Sequence, residues 1–220
     1  MNPFLRWVLD LIYPPECMLC HRLLESSDQA ICSKCGHELP EYDGPLRKVQ
    51  YYEKAVAPFF YEEPIRDAIL RFKFHGMQSY AGQFAAWMAV WVRDHLEGDY
   101  DVISWVPCSR RRRWTRGFDQ AELLARALAK ELNVPVCGTL EKTKHNPKQS
   151  TLADAARRRA NVLGVYRAVM PQSWMGKRIL IIDDVLTTGS TLSECGKVLR
   201  MAGSGDLTCA VIAAARREKE

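Results

Sequence analysis

Ile179-Leu-Ile-Ile-Asp-Asp-Val-Leu-Thr-Thr-Gly-Ser-Thr191 is the stretch that decides the fold of this chain. Ile179 to Ile182 form an unbroken aliphatic run, the pattern of a parallel strand buried on both faces. The run ends in two adjacent acids, Asp183 and Asp184. A short loop of hydroxyls and one glycine follows, Thr187-Thr188-Gly189-Ser190-Thr191. Leu192–Met201 then has helical periodicity. Strand, acid pair, small-residue loop and helix start together make an anion pocket with carboxylates beside it. Backbone N–H groups at such a loop and helix start cradle phosphate oxygens, and the hydroxyls add donors. Ionised carboxylates only accept hydrogen bonds, which suits sugar hydroxyls. A phosphate next to a ribose is the ligand this order of residues fits.

The run resembles the signature of type I phosphoribosyltransferases, which bind phosphoribosyl pyrophosphate (PRPP). The resemblance implies that Asp183 and Asp184 hold the ribose 2′- and 3′-hydroxyls. It also implies that Thr187, Thr188, Gly189, Ser190 and Thr191 wrap the 5′-phosphate.

Outward from this stretch, strands alternate with helices. Strands are expected at Val56–Tyr61, Val102–Val106, Val165–Val169 and Thr208–Ala213. Helices are expected at Ile65–Phe72, Ala81–His95 and Gln120–Leu132. That alternation predicts an α/β fold with a doubly wound, mainly parallel sheet. Ligands of such sheets sit beyond the carboxyl ends of the strands. The acid pair falls at one such end. At another falls an arginine loop, Pro107-Cys-Ser-Arg-Arg-Arg-Arg-Trp-Thr-Arg-Gly-Phe-Asp-Gln120. Arg112 and Arg116 in it are four apart, and guanidinium forks match the oxygens of a diphosphate.

The amino-terminal part has a different character. Cys17-Met-Leu-Cys20 and Cys32-Ser-Lys-Cys35 are two Cys-x₂-Cys pairs with eleven residues between them. Four thiolates at this spacing complete a closed tetrahedral zinc shell, so the metal is expected to be structural. His21 and His37 flank the pairs and are not needed as ligands. Cys108, Cys137, Cys195 and Cys209 are scattered and read as small buried side chains. Phe4–Ile12 looks like a short amphipathic helix ended by Pro14-Pro15. Glu38–Pro45 reads as a linker. The expected division is residues 1–45 for the helix and zinc module and 46–220 for the large domain.

The chain has 220 residues, 47% hydrophobic content and a net charge of +5, enough for one α/β domain with a small module. Its cations are clustered at Arg110–Arg113 with Arg116, and at Lys142, Lys144, Lys148 and Arg157–Arg159. Clustering of this kind suits pyrophosphate, nucleotides or nucleic acid. No secretory signal or membrane-spanning run is visible, so a cytoplasmic location is the default expectation, with reduced or metal-bound thiols.

Five features occur in one order along the chain. They are the four cysteines, a Tyr61-x₃-Ile65-Arg66…Phe72-Lys-Phe-His-Gly76 stretch, the Arg112-x₃-Arg116-Gly-Phe-Asp-Gln120 loop, a Lys144…Gln149-x₂-Leu152…Asn161 stretch, and the run at 179–191. Together they resemble the ComF (ComFC or GntX-like) family over nearly the whole chain. The resemblance implies a type I phosphoribosyltransferase fold with an N-terminal zinc ribbon. It implies magnesium with PRPP, and a link to natural competence and DNA uptake or utilisation. One departure is visible: the family loop usually has Asn where this chain has Asp119. Arg112 and Arg116 would take the leaving pyrophosphate, and Lys144–Thr151 would supply a cover that excludes water. Two functional classes follow. One is a phosphoribosyltransferase with an unidentified acceptor. The other is a non-catalytic accessory protein that binds single-stranded DNA and senses PRPP or a nucleotide in its pocket.

Overall fold

The computed structural model describes Leu11 and residues 14–143 and 164–216. The expected helix Phe4–Ile12, apart from Leu11, lies outside the described residues. So do the expected Lys144–Thr151 cover, Asn161 and the Arg157–Arg159 cluster.

Five parallel strands make the main sheet. They are β1 (Lys54–Val56), β2 (Phe59–Phe60), β3 (Val102–Trp105), β6 (Ile179–Leu186) and β7 (Leu207–Ala214). The order is β1-β7-β6-β3, with β2 also on β7, so the two longest strands are central. A parallel bridge from Ile103 to Val136 extends the β3 edge. The expected single strand Val56–Tyr61 is split into β1 and β2 around Ala57-Pro58, because proline has no N–H to give to the ladder.

The period-two alternation of β6 sorts its residues between two cores. Leu180 and Ile182 face a layer built from α2 (Ile65–Phe74), α3 (Tyr80–Leu96) and α5 (Gln120–Leu132). Ile179 and Ile181 face the opposite layer, which holds Leu192, Cys195 and Leu199 of α6 (Ser190–Met201) and the fully buried Trp174. Helices on both faces of a parallel sheet are the doubly wound arrangement.

Three expectations are corrected. The segment around Val165–Val169 is no strand of the main sheet: β5 (Tyr166–Ala168) pairs antiparallel with β4 (Leu140–Lys142) in a separate two-stranded sheet. The stretch Glu38–Pro45 is no free linker. Phe60 N–H donates to Pro40 O at 2.7 Å and Tyr42 N–H to Pro58 O at 2.9 Å, so it zips along β2. Its prolines break helix but still accept through their carbonyls. Third, β6 does not stop at Ile182; it continues through the acid pair, with Asp183 in register with Val211.

The amino-terminal module packs directly on the large domain. Cys17, Met18, Leu19 and Cys35 belong to the same core as Phe72 and Phe84. Its second cysteine pair opens the short helix α1 (Ser33–His37). Among the described residues no helix is long and apolar enough to cross a membrane.

Candidate functional site

The carboxyl ends of β3 and β6, neighbours in the sheet, open into one cavity of about 360 Å³. Its wall contains Asp183, Asp184, Thr187, Thr188, Gly189, Ser190 and Thr191 from the β6 side, and Arg112 and Arg116 from the β3 side. Every pocket residue singled out in the sequence thus lines one space.

The loop after β6 is shaped locally. Gly189 takes φ +76°, a left-handed conformation that a side chain would strain, and caps α6. Thr188 Oγ1 and Ser190 Oγ are 2.7 Å apart, holding the hydroxyls on one side of the turn. No acid stands in the first turn of α6, so its N-terminal partial charge is not offset from within that turn. Arg47 was not singled out in the sequence. Its guanidinium donates to Ala215 O at 2.6 Å and Thr187 O at 3.3 Å, tying the loop start to the end of β7.

Strand alternation sends the two acids to different layers. Asp184 meets α2, where Lys73 Nζ lies 2.8 Å from its Oδ1, both side chains mostly buried. Asp183 sits toward α6 and β7, where its charge adds to burial in pushing the Cys195 and Cys209 thiols up. Burial first, and then the Asp184 charge, push the Asp183 carboxyl up to about 8, against the N–H of Asp184 that donates to it at 2.9 Å. The site therefore holds one ion-paired acid and one acid disposed to carry a proton.

The arginine stretch, expected as a loop, is a helix, α4 (Arg110–Arg116). Ser109 caps it by accepting from Arg112 N–H at 3.3 Å, and Gly117 ends it at φ +80° with its N–H on Arg113 O at 2.8 Å. Arg113 pairs with Glu122. No acidic partner faces Arg111 or Arg112 among the described residues. Arg116 lies over the Phe74 ring, 4.6 Å from its centroid. Burial, and then the Arg112 charge, lower its guanidinium from the ordinary value. Like charges gathered on seven residues are costly for a helix by themselves and fit an anion held across them.

Asp119 has a local role. Its Oδ1 accepts from Ala121 and Glu122 N–H at 3.1 and 3.4 Å, and its Oδ2 from Cys108 N–H at 2.7 Å. It caps α5 and anchors the turn before α4. An amide could not accept the second set on its nitrogen side. Next to it the Oε1 of Gln120, buried without a partner among the described residues, belongs to a residue of the cavity wall. Lys142 lines the same wall and donates to Tyr166 Oη at 3.2 Å; burial, then Arg112, lower its ammonium.

A second cavity of about 450 Å³ adjoins the first and shares Lys73, Phe74, Arg112 and Arg116 with it. Arg111, Thr115, Gly76 and Phe118 complete a wall with four cations and no acid.

Beside the last turn of α2, whose Arg71 donates to Met18 O and Leu19 O, the sulfur atoms of Cys17, Cys20, Cys32 and Cys35 all lie within 4.8 Å of one another. The Cys20–Cys32 separation of 3.7 Å matches the edge of a tetrahedron with Zn–S bonds of about 2.3 Å, about 3.8 Å. For Cys17, burial opposes ionisation, but N–H groups of Cys20, Cys32 and Leu19 outweigh it and pull the thiol down to about 6. The donor set fits a structural zinc with no open position. His21 is turned away to Glu16 at 3.4 Å.

A phosphoribosyl transferase domain model matches residues 119–220, and a double zinc ribbon domain model matches residues 8–47. Competence protein F of Haemophilus influenzae is 33% identical over 197 residues, covering 85% of each chain. The chain belongs to the ComF family. Competence protein ComFC of Streptococcus pneumoniae is 31% identical to it over 225 residues, with 87% of this chain and 96% of the relative covered. DNA utilization protein YhgH of Escherichia coli O157:H7 is 28% identical over 198 residues, covering 86% and 85%. In this ComF chain the two matched models flank α2 and α3, the elements on which the zinc module and the sheet both pack.

Proposed function

We propose that this protein binds Mg-PRPP in the cavity at the ends of β3 and β6 and serves natural competence, in DNA uptake or utilisation. One observation carries the reading: the acid pair, the phosphate-type loop, a helix start with no acid in its first turn and two arginines converge on one cavity. Asp183 and Asp184 accept from the ribose hydroxyls, Thr187–Thr191 take the 5′-phosphate, and Arg112 and Arg116 take the pyrophosphate. Magnesium brought in with the ligand would supply charge neutralisation at the diphosphate.

As an enzyme, the protein catalyses displacement of pyrophosphate from C1 by a nitrogen nucleophile. The arginines stabilise the charge that grows on the leaving group, and the loop and acids fix the sugar in position. Gln120 Oε1 offers an acceptor to an N–H or O–H of the incoming partner. Thr187 stands where purine-salvage enzymes carry an acid, which favours an acceptor other than a purine base.

Calorimetric titration with Mg-PRPP tests the site. Asp184→Ala should lose about 1.5–3 kcal/mol of binding, the scale of hydrogen bonds to a charged acceptor. Unchanged affinity in the Asp183→Ala/Asp184→Ala double variant overturns the assignment.

The second cavity favours a further reading, single-stranded DNA as partner. Its cationic wall, with the 89% exposed Trp114 on the same helix, offers phosphate contacts and a stacking surface. The binding constant for a labelled oligonucleotide, read by anisotropy, should then fall with salt at a log–log slope of roughly −0.7 per neutralised phosphate. Arg111→Ala should reduce that slope. A variant that keeps the full slope and affinity removes Arg111 from the contact.

A further inference from the structure

The last turn of α2 carries four successive residues, each fixed to a different part of the molecule. Arg71 Nη2 donates to Met18 O and Leu19 O of the first zinc knuckle, at 2.8 and 3.1 Å. Phe72 is fully buried against Phe84 and Phe118, ring centroids 5.7 and 6.1 Å away. Lys73 is on Asp184 at 2.8 Å. Phe74 lies under Arg116. The Lys73 ammonium is therefore placed by a backbone that has little freedom to move it.

Lys73 also lines both cavities, on the same side as Arg112 and Arg116. On the proposed function, ribose hydroxyls must donate to Asp184. They then compete with the ammonium for the carboxylate oxygens. A mostly buried lysine that loses its counter-ion pays a large desolvation cost unless another anion replaces it. PRPP brings such an anion to the arginine side of the pocket. An ammonium has three rotatable donors, so it can keep one on the carboxylate and turn others to phosphate oxygens.

We propose that Lys73 is a ligand of the pyrophosphate end of PRPP, parked on Asp184 in the free protein. This rests on the PRPP reading of the pocket. It makes ligand selection depend on both halves of the molecule: a ribose phosphate without pyrophosphate must compete with Lys73, whereas PRPP compensates it.

Calorimetry of wild type, Lys73→Met, Lys73→Gln and Lys73→Arg with Mg-PRPP, magnesium pyrophosphate and ribose 5-phosphate tests the assignment. Lys73→Met should weaken PRPP and pyrophosphate roughly ten- to a hundredfold, the scale of one charge-assisted contact. Ribose 5-phosphate should bind as in wild type or tighter, because its competitor for Asp184 is gone. Lys73→Arg should recover most of the pyrophosphate affinity. Thermal melting shows whether each variant is folded; Lys73→Gln, which keeps most of the stem and a donor, gives the same comparison should the Met variant melt early. An equal loss for all three ligands in a folded variant makes Lys73 a structural partner of Asp184 and overturns the proposal, as does no loss at all. Wild type that binds pyrophosphate but neither ribose ligand defeats the PRPP reading while leaving the pyrophosphate role of Lys73 testable on that arm. Wild type that binds none of the three defeats both.

Discussion

Arg71→Met should loosen the zinc module from the large domain without touching a zinc ligand. The guanidinium gives one nitrogen to two knuckle carbonyls, Met18 O at 2.8 Å and Leu19 O at 3.1 Å. Because both bonds come from one nitrogen they count as one charged contact, about 1.5–3 kcal/mol. Two terms offset part of that. The Arg71 Nε, buried without a partner among the described residues, is removed, and methionine fills the volume of the stem. A net loss of about 2 kcal/mol corresponds to a drop of about 4–8 °C in melting temperature for a chain of this length. The zinc-loaded protein is the sample, and release of zinc to a chromogenic chelator is the second readout. If zinc leaves through opening of the first knuckle, a 2 kcal/mol loss makes release about thirtyfold faster. A melting temperature within about 1 °C of wild type, with an unchanged release rate, would refute the argument that Arg71 holds the knuckle down.

Cys32→Ser should purify with well under one zinc per chain by elemental analysis, because binding energy at such a site is folding energy. It should also expose the apolar face of Met18 and Leu19, read as increased binding of a hydrophobic dye. Gly196→Ala should destabilise by about 1–3 kcal/mol, since a Cβ there would sit 2.7 Å from Tyr52 Cε2 and 2.9 Å from Tyr51 Cβ; a melting curve unchanged from wild type would contradict the packing of α6. The Asp183 carboxyl, at about 8 rather than 3.8, binds a proton in the fold that the unfolded chain has lost, so its contribution to stability falls as pH rises between those values. PRPP, which needs the ionised form as acceptor, should bind more tightly as pH rises toward 8 and level off above it; a profile equally steep in Asp183→Asn assigns the slope to another group.

What the sequence disclosed, and what it withheld, divides by distance along the chain. Gln120–Leu132 is a helix over those very residues, because its periodicity, the Asp119 cap and the left-handed Asn133 after it are all local. The pocket residues at 183–191 were legible for the same reason: strand, acids, loop and helix start are consecutive. The arginine stretch misled because four adjacent like charges argue for a solvated loop, while the decisive marks are two small residues at its ends, Ser109 and Gly117. Partners were not legible. Tyr166–Ala168 has the composition of a strand, but nothing in three residues tells a parallel neighbour from the antiparallel β4. Glu38–Pro45 looked like a linker because prolines mark breaks, while the Pro40 carbonyl that accepts from Phe60 N–H and the Tyr42 N–H that donates to Pro58 O leave no compositional trace.

Lys73 and Arg47 show the same limit within the site. Lys73 lies 111 positions before Asp184, and Arg47 lies 140 before Thr187. Each was visible only as a cation in a stretch of mixed composition. Arg47 fixes the loop that a phosphate would meet, and Lys73 pairs with the acid that a ribose would meet. The linear motif therefore names the groups that, on the proposed function, would touch the sugar phosphate. The charge balance those groups work under is set by α2, which shares a core with the zinc module, and by the segment before β1, whose Val49 and Tyr52 belong to the core on the other face of the sheet. A change in that packing should alter affinity in the pocket while every residue of the motif stays the same.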